Sequence, residues 1–326
     1  MSGISDSFQR PIDYLRISVT DRCNLRCVYC MPAEGISLVP HSELLTYEEI
    51  AALVRASSEM GISKVRISGG EPLVRLGLVN LIGMLSQIDG IDDVSLTTNG
   101  ILLREQAADL KESGLRRVNV SLDSLQRRRF EKITGHNGLA EVLEGIEQAR
   151  RVKLEPVKIN VVVMRGVNDD ELLDFALLSK EGWHVRFIEL MPLASRGAVT
   201  PEFVSAEEMR CSLASLGDIE PCSAPAGVGP AKYFRLPGAT GTIGFITPVS
   251  EHFCFRCNRL RLTADGKLLP CLLSDQEIDL KSALRGGAST DRIKRLILEA
   301  IASKPEGHRV AEGLLLQRRS MTQVGG

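Results

Sequence analysis

Between Asp13 and Met191 the chain alternates short apolar, β-branched runs with longer helical patterns, and that alternation restricts the folds open to it. The runs Tyr14–Thr20, Lys64–Ser68, Val94–Thr98, Arg117–Leu122, Val157–Met164 and Val185–Met191 read as strands. Helical periodicity fills the intervals at Tyr47–Met60, Leu76–Ile88, Arg104–Ser113, Leu139–Arg151 and Asp170–Glu181. The strands read as nearly apolar along their length, the pattern of a parallel sheet covered on both faces. Six β/α steps with right-handed crossovers are too few to close an eight-stranded barrel. The sequence therefore predicts an α/β fold, an open and partial (β/α)6 TIM-type barrel. Helix starts agree: Thr46 precedes Tyr47-Glu48-Glu49, and Asn168-Asp169-Asp170-Glu171 opens a later helix in the same way.

Beyond residue 200 the pattern changes. A helix around Ala206–Leu216 is followed by a Pro/Gly-rich passage from Pro221 to Pro230. Strands at Lys232–Leu236 and Thr242–Ile246 flank the turn Pro237-Gly238, a hairpin turns at Asp265-Gly266, and two helices close the chain. This suggests a barrel unit over residues 1–200 and a small α+β region over residues 201–326 that caps the barrel opening. With 44% hydrophobic and 25% charged residues, the composition is that of a soluble globular protein. A net charge of −1 supplies no global field for nucleic acid or a membrane surface, so an anionic ligand must be held by local basic groups. No window approaches 18 uncharged apolar residues and Met1 to Arg10 lacks an apolar signal core, so a cytoplasmic location is expected.

Six of the eight cysteines fall into two clusters. A disulfide framework does not suit such a chain, and Cys211 and Cys222, which stand apart, read as ordinary thiols. The first cluster, Cys23, Cys27 and Cys30 in C-x3-C-x2-C spacing, follows the first strand. That is the edge where β/α sheets and barrels place their ligands. A 4Fe–4S cluster ordinarily takes four thiolates and a structural zinc four ligands. A triplet alone leaves one iron open to a small molecule; the alternative is zinc completed by a distant ligand. The second cluster, Cys254, Cys257 and Cys271 in C-x2-C-x13-C spacing, is either another open Fe–S cluster or a Cys3His zinc site using His252.

Between Cys257 and Cys271 lies Asn258-Arg259-Leu260-Arg261. In a strand Arg259 and Arg261 share a face, either as an exposed basic edge or as a local anion site. No G-x4-G-K-[ST] loop is present, so phosphates would need scattered cations, for which Arg16, Arg66 and Lys158 stand at suitable strand positions. Ser68-Gly69-Gly70-Glu71-Pro72 follows the second strand. Its glycines permit close backbone approach to a ligand, and Glu71 is suited to pair with an ammonium group.

The first triplet, with Tyr29 directly before its third cysteine, resembles the signature of radical S-adenosylmethionine (SAM) enzymes, and Gly69-Gly70-Glu71-Pro72 resembles that superfamily's second motif. Added to the C-x2-C-x13-C segment with Asn-Arg-Leu-Arg and a chain ending in Gly325-Gly326, these features make the whole length similar to the MoaA family. These are the GTP 3′,8-cyclases of molybdenum cofactor biosynthesis. The resemblance implies two 4Fe–4S clusters, on Cys23, Cys27 and Cys30 and on Cys254, Cys257 and Cys271. It implies SAM contacts at Tyr29, Gly70, Ser121 and Met191, and GTP contacts at Arg16, Arg66, Thr97, Lys158, Arg259 and Arg261. It gives Gly325 and Gly326 a catalytic role at the end of a tail that enters the active site. It further implies a low-potential electron donor and delivery of product to cyclic pyranopterin monophosphate synthase, with a homodimer among the assemblies it allows. Two other readings stand beside it: a radical SAM enzyme with an auxiliary Fe–S cluster acting on a peptide or protein, and a non-catalytic zinc-stabilised protein-binding module.

Overall fold

In the computed structural model, residues 3–32, 35–191, 202–227, 229–308 and 319–325 are described. The first half runs β1 (Tyr14–Ser18), α1 (Tyr47–Ser58), β2 (Lys64–Ser68), α2 (Leu78–Ser86), β3 (Asp93–Thr98), α3 (Leu103–Glu112), β4 (Arg117–Ser121), α4 (Arg127–Thr134), α5 (Leu139–Arg151), β5 (Lys158–Val163), α6 (Leu172–Leu177) and β6 (His184–Glu189). The second runs α7 (Ala206–Leu213), β7 (Glu220–Cys222), β8 (Lys232–Arg235), β9 (Thr242–Ile246), β10 (Arg259–Leu262), β11 (Lys267–Leu269), β12 (Ile278–Asp279), α8 (Leu280–Arg285), α9 (Thr290–Ala302) and α10 (Met321–Val324).

All these strands form one open sheet in the order β12-β11-β10-β1-β2-β3-β4-β5-β6-β9-β8-β7. The six expected strands β1 to β6 are mutually parallel. Two strands from beyond residue 200 extend the parallel array: β10 pairs with β1 and β9 with β6. The six-strand expectation is thus enlarged to eight parallel strands, and antiparallel pairs at both ends replace closure. The curved sheet and its crossover helices make a partial TIM barrel. No described helix is long and apolar enough to cross a membrane.

The expectation of apolar strands is corrected. Each strand alternates, and only the face beneath the helices is apolar: Leu15 and Ile17, Val65 and Ile67, Val118 and Val120, Val185 and Phe187 are all buried there. The opposite face carries Arg16, Arg66, Asn119, Lys158, Asn160 and Arg186. A closed TIM barrel fills this interior with branched apolar side chains. Here it is left polar.

Local chemistry explains the helices. Thr46 Oγ1 accepts from the Glu49 amide at 3.1 Å while Glu49 returns a bond to Thr46 N at 2.8 Å, a full capping box for α1. The expected cap at Asn168 is corrected: that side chain donates to the carbonyls of Asp123 and Val162, and a 3-10 turn at Asp169–Glu171 precedes α6. The helix expected over Asp170–Glu181 is accordingly broken into 3-10, α and 3-10 pieces. Helix α4 was not foreseen, because only Phe130, Ile133 and Thr134 of its eight residues are buried, too few for a visible period.

Candidate active site

The C-terminal ends of the strands open on a chamber whose empty volume, mouth included, is about 2020 Å³. Both thiol triplets line it, Cys23, Cys27 and Cys30 on one side and Cys254, Cys257 and Cys271 on the other. The remaining lining includes Tyr29, Gly70, Ser121 and Met191 as well as Arg16, Arg66, Thr97, Arg259 and Arg261, all expected from the sequence.

The loop after β1 is held by its neighbours. The Arg26 and Val28 amides donate to the carbonyls of Thr134 and Ile133 at the end of α4, at 2.7 and 3.0 Å. Gly69 and Gly70 are glycines for the same loop. A Cβ on Gly69 would stand 2.7 Å from the Thr20 carbonyl oxygen, and one on Gly70 2.3 Å from that of Arg22. Their close approach is therefore to the cysteine loop. The structure likewise gives Glu71 another task. Its buried carboxylate accepts from the amides of Leu73 and Asn99, at 3.0 and 2.6 Å, and from the Thr98 hydroxyl at 2.6 Å. Burial still raises its pKa to about 7. Glu71 ties the loop after β2 to the loop after β3. Asn99, in turn, donates to Asn24 Oδ1 at 2.7 Å, beside Cys23.

Tyr29 donates to Asp123 Oδ2 at 2.7 Å, and Asp123 Oδ1 accepts from the Val162 amide at 2.8 Å. Burial lifts Asp123 to about 6. Burial also holds the Cys27 thiol well above its ordinary range and pushes Cys30 up to about 12, with Asp123 adding to both. The second triplet lies among cations. Burial opposes ionisation of Cys257, but Arg259 and Lys304 outweigh it and bring the thiol down to about 6. Lys304 is buried and donates to the carbonyls of Arg259 and Pro270, each at 2.7 Å. The Arg10 guanidinium fixes the same region through the Cys254, Pro305 and Glu306 carbonyls.

Positive charge converges on the lumen. The register pairs Arg16 with both Arg66 and Arg261, so three guanidiniums stand abreast on β10, β1 and β2. Their hydrogen bonds go to neutral groups: Arg16 to Ser68 Oγ at 3.3 Å, Arg66 to Ser95 Oγ at 3.2 Å, and Arg261 to the Gly325 carbonyl at 2.7 Å. Burial, and then Arg261, depresses Arg16; burial, and then Arg259, depresses Arg261 to about 10. Arg186 also lines the chamber, donating to Asn119 Oδ1 at 2.5 Å while its Nε and the nearby Asn160 Oδ1 have no partner. Arg186 escaped the sequence reading, although it occupies an inward position of β6 like that of Lys158 in β5. Reading the strands as alternating would have found it.

Lys158 differs from its expected placement. It stands beneath the chamber, donating to the Ala226 carbonyl of the Pro/Gly-rich loop, with its ammonium 5.7 Å from the Tyr233 ring centroid. Burial, then Arg186, Arg117 and Arg66, lowers it to about 6. Gly325 is left-handed at φ +73°, and a Cβ there would lie 2.4 Å from Ser68 Oγ, so the tail lies against Ser18 of β1 and Ser68 of β2 where a side chain does not fit. Gly326 lies outside the described residues.

The donor sets suit the groups the sequence implied. Each triplet offers three sulfurs to the chamber, the donor chemistry of an Fe–S cluster with one iron left open. Residues 17–178 match the model of the radical SAM superfamily, and residues 183–310 match that of Molybdenum Cofactor Synthesis C. The structure resembles Streptococcus suis SuiB, at TM-score 0.60 and 14% identity over 85% of this chain and 66% of that one. SuiB bound to S-adenosylmethionine gives TM-score 0.59 at 15% identity, covering 88% and 68%. The fold and the N-terminal triplet are thus those of a radical SAM enzyme, a class that works with SAM and an Fe–S cluster. The chain is 54% identical to a GTP 3′,8-cyclase of Pelotomaculum thermopropionicum over 99% of its length and 100% of the relative's. It is 51% identical to that of Moorella thermoacetica, again over 99% and 100%, and 53% to that of Desulforamulus reducens over 98% and 99%. Within its superfamily the chain belongs to the GTP 3′,8-cyclase family of molybdenum cofactor biosynthesis.

Proposed function

We propose that the chamber converts GTP to (8S)-3′,8-cyclo-7,8-dihydroguanosine 5′-triphosphate. Residues 1–200 supply SAM cleavage and residues 201–326 supply a second Fe–S cluster and part of the GTP cradle. The observation that carries this reading is a row of guanidiniums, Arg16 and Arg66 half-buried and Arg261 buried, bonded only to neutral partners in the chamber that both thiol triplets line. Such a lumen is complementary to a polyanion. A peptide substrate would leave these charges without counter-ions.

A 4Fe–4S cluster with SAM on its open iron supplies one-electron reductive cleavage and a primary carbon radical able to take a C–H hydrogen. Cys23, Cys27 and Cys30 would hold that cluster, and Tyr29, Gly70, Ser121 and Met191 border the space for SAM. Cys254, Cys257 and Cys271 would hold the second, which would supply an iron able to bind the guanine base. Arg16, Arg66, Arg259 and Arg261 grip the triphosphate, with Thr97 nearby and Arg186 joining them. Lys158 reaches it only by giving up Ala226. The protein's contribution is orientation of C3′ and C8 and exclusion of water from the reacting atoms. Arg261, bonded to the Gly325 carbonyl, sets the tail beside the substrate.

Electrons would come from a low-potential donor, and the product would pass to cyclic pyranopterin monophosphate synthase in the cytoplasm. A homodimer is compatible with this scheme. Anaerobic reconstitution tests it: the reading requires about eight irons per chain and GTP-dependent release of 5′-deoxyadenosine. Stoichiometric zinc, or half that iron, rejects the second cluster. Gly325→Ala, Gly326→Ala or residues appended after Gly326 should abolish cyclisation while sparing SAM cleavage, and product formation that survives all three removes the tail from the mechanism.

A further inference from the structure

The electron that starts each turnover has to reach the N-terminal triplet from outside the protein. The inner side of that triplet faces the chamber, which SAM and GTP fill in the reading above. Among Cys23–Cys30 only Asn24 and Arg26 are exposed, so the solvent route to the cluster runs over those two residues.

That route has a charged rim. The Arg26 and Val28 amide bonds fasten the loop to the C-terminal end of α4, and a Cβ on Gly135 would lie 3.3 Å from Arg26 Cβ. Helix α4 buries Phe130, Ile133 and Thr134 and turns Arg127, Arg128, Glu131 and Lys132 to solvent. Arg128 and Lys132, four residues apart, form one stripe running toward Arg26. Arg127 bonds to neutral Asn137, at 2.8 Å, whereas Arg129 on the next face pairs with Asp170 and Glu171. Four exposed cations thus stand around the loop with exposed Glu131 among them, while exposed Asp170 is taken up by Arg129, in a chain whose net charge is −1.

We infer that the exposed edge of the N-terminal cysteine loop and the basic face of α4, through Arg26, Arg127, Arg128 and Lys132, form the docking surface for a small acidic one-electron carrier protein. The need for an electron rests on the cyclase reading; the charge pattern and its place do not. In the step itself the carrier is oxidised by one electron and the cluster reduced by one, and no bond or proton moves until SAM is cleaved. Electron-transfer encounters are small and transient, below roughly 1,200 Å². A charged rim is enough for them, because steering acts on the association rate more than on affinity.

The test uses the full-length reconstituted enzyme and two reductants, dithionite and a reduced acidic plant-type ferredoxin of potential near −400 mV. Arg128→Glu/Lys132→Glu should slow ferredoxin-driven cluster bleaching and 5′-deoxyadenosine release roughly ten- to a hundredfold at low salt, and Arg128→Gln/Lys132→Gln less. The wild-type ferredoxin rate should fall steeply with ionic strength and the reversed variant's should not. Dithionite-driven rates should stay within about twofold in all three proteins, since neither side chain touches the chamber. Ferredoxin rates unmoved by both variants overturn the proposal, and that is also what a rim serving RNA would give. Equal slowing with both reductants, in the neutral as well as the reversed variant, overturns it too, because the helix would then be only structural. Wild-type enzyme that cleaves SAM with dithionite yet leaves GTP intact sinks the cyclase reading alone, and the bleaching ratio still decides the docking surface.

Discussion

The two cysteine loops border one chamber with three thiols each, yet their surroundings have opposite sign. Asp123 stands near the N-terminal triplet, and burial drives its thiols upward. Around the C-terminal triplet stand Arg259 and Lys304, which bring Cys257 down to about 6, although burial still raises Cys271. Cluster potentials follow net charge, hydrogen bonding and exposure. In the proposed scheme this contrast would give the more negative potential to the cluster on Cys23, Cys27 and Cys30, and the less negative one to a second cluster on Cys254, Cys257 and Cys271.

The largest effect separates the loops completely. Cys27→Ala should abolish SAM cleavage with or without GTP. Cys257→Ala should keep SAM cleavage with chemical reductant and lose the cyclic product. Chromatographic assay of 5′-deoxyadenosine and product on the same samples checks both, and a Cys257→Ala enzyme that still cyclises GTP would remove the second cluster from the chemistry.

Next in size is the cationic row. Arg261→Ala leaves the Gly325 carbonyl without its donor and takes one guanidinium from the proposed triphosphate cradle, where losing one partner of a buried charge pair costs about 2–5 kcal/mol. The KM for GTP should rise roughly 30-fold or more while that for SAM changes little. Steady-state kinetics with each ligand varied in turn decides it, and parallel rises in both values would mean general damage to the chamber.

A subtler pair of variants works on the charges themselves. Asp123→Asn keeps acceptor and donor geometry toward Val162 and Tyr29 but removes a negative charge beside the first triplet. Lys304→Met removes a positive one beside the second. One buried charge shifts a one-electron potential by roughly 60 mV for each 1.4 kcal/mol of interaction. Redox titration followed by electron paramagnetic resonance should show the N-terminal midpoint moving up in Asp123→Asn and the C-terminal midpoint moving down in Lys304→Met. Movement in the same direction would end the electrostatic account of their difference.

Which parts of this contrast could be read in the chain follows from what each depends on. The thiol spacings and the Gly-Gly-Glu-Pro turn are local, so both triplets were visible, and with them the sheet edge that carries the first; the second, before β10 and after β11, stands at the opposite end of the strands. The parallel strands were visible too, although β10 was read only as one arm of a hairpin. Its pairing with β1 spans some two hundred and fifty residues and leaves no local trace. The polar lumen was missed because strand runs such as Lys-Ile-Asn-Val-Val-Val were averaged as apolar, which hid Asn160 and, in β6, Arg186. The tasks of Glu71 and Lys158 depend on which backbone groups come within reach, the Asn99 amide and the Ala226 carbonyl. Those are facts of tertiary packing.

The smallest effect probes the floor of the cationic half. Lys158 titrates near 6 in the folded, ligand-free chain against an ordinary 10.5, because burial and three neighbouring guanidiniums disfavour its charge. Between those two values the unfolded chain carries a proton that the native one lacks, so this group makes stability rise with pH across that window and contributes no slope below about 6. The slope from one such group is at most about 1.4 kcal/mol per pH unit. Lys158→Met should flatten the rise of Tm between neutral and mildly alkaline pH in the apoprotein. A triphosphate works against the same shift: its negative charge restores the ammonium, so GTP binding takes up a proton at pH 8 in the wild type and not in the variant. Calorimetry in buffers of different ionisation enthalpy measures that uptake, and equal uptake in both proteins would place the triphosphate out of reach of Lys158 and leave the Ala226 contact closed during binding.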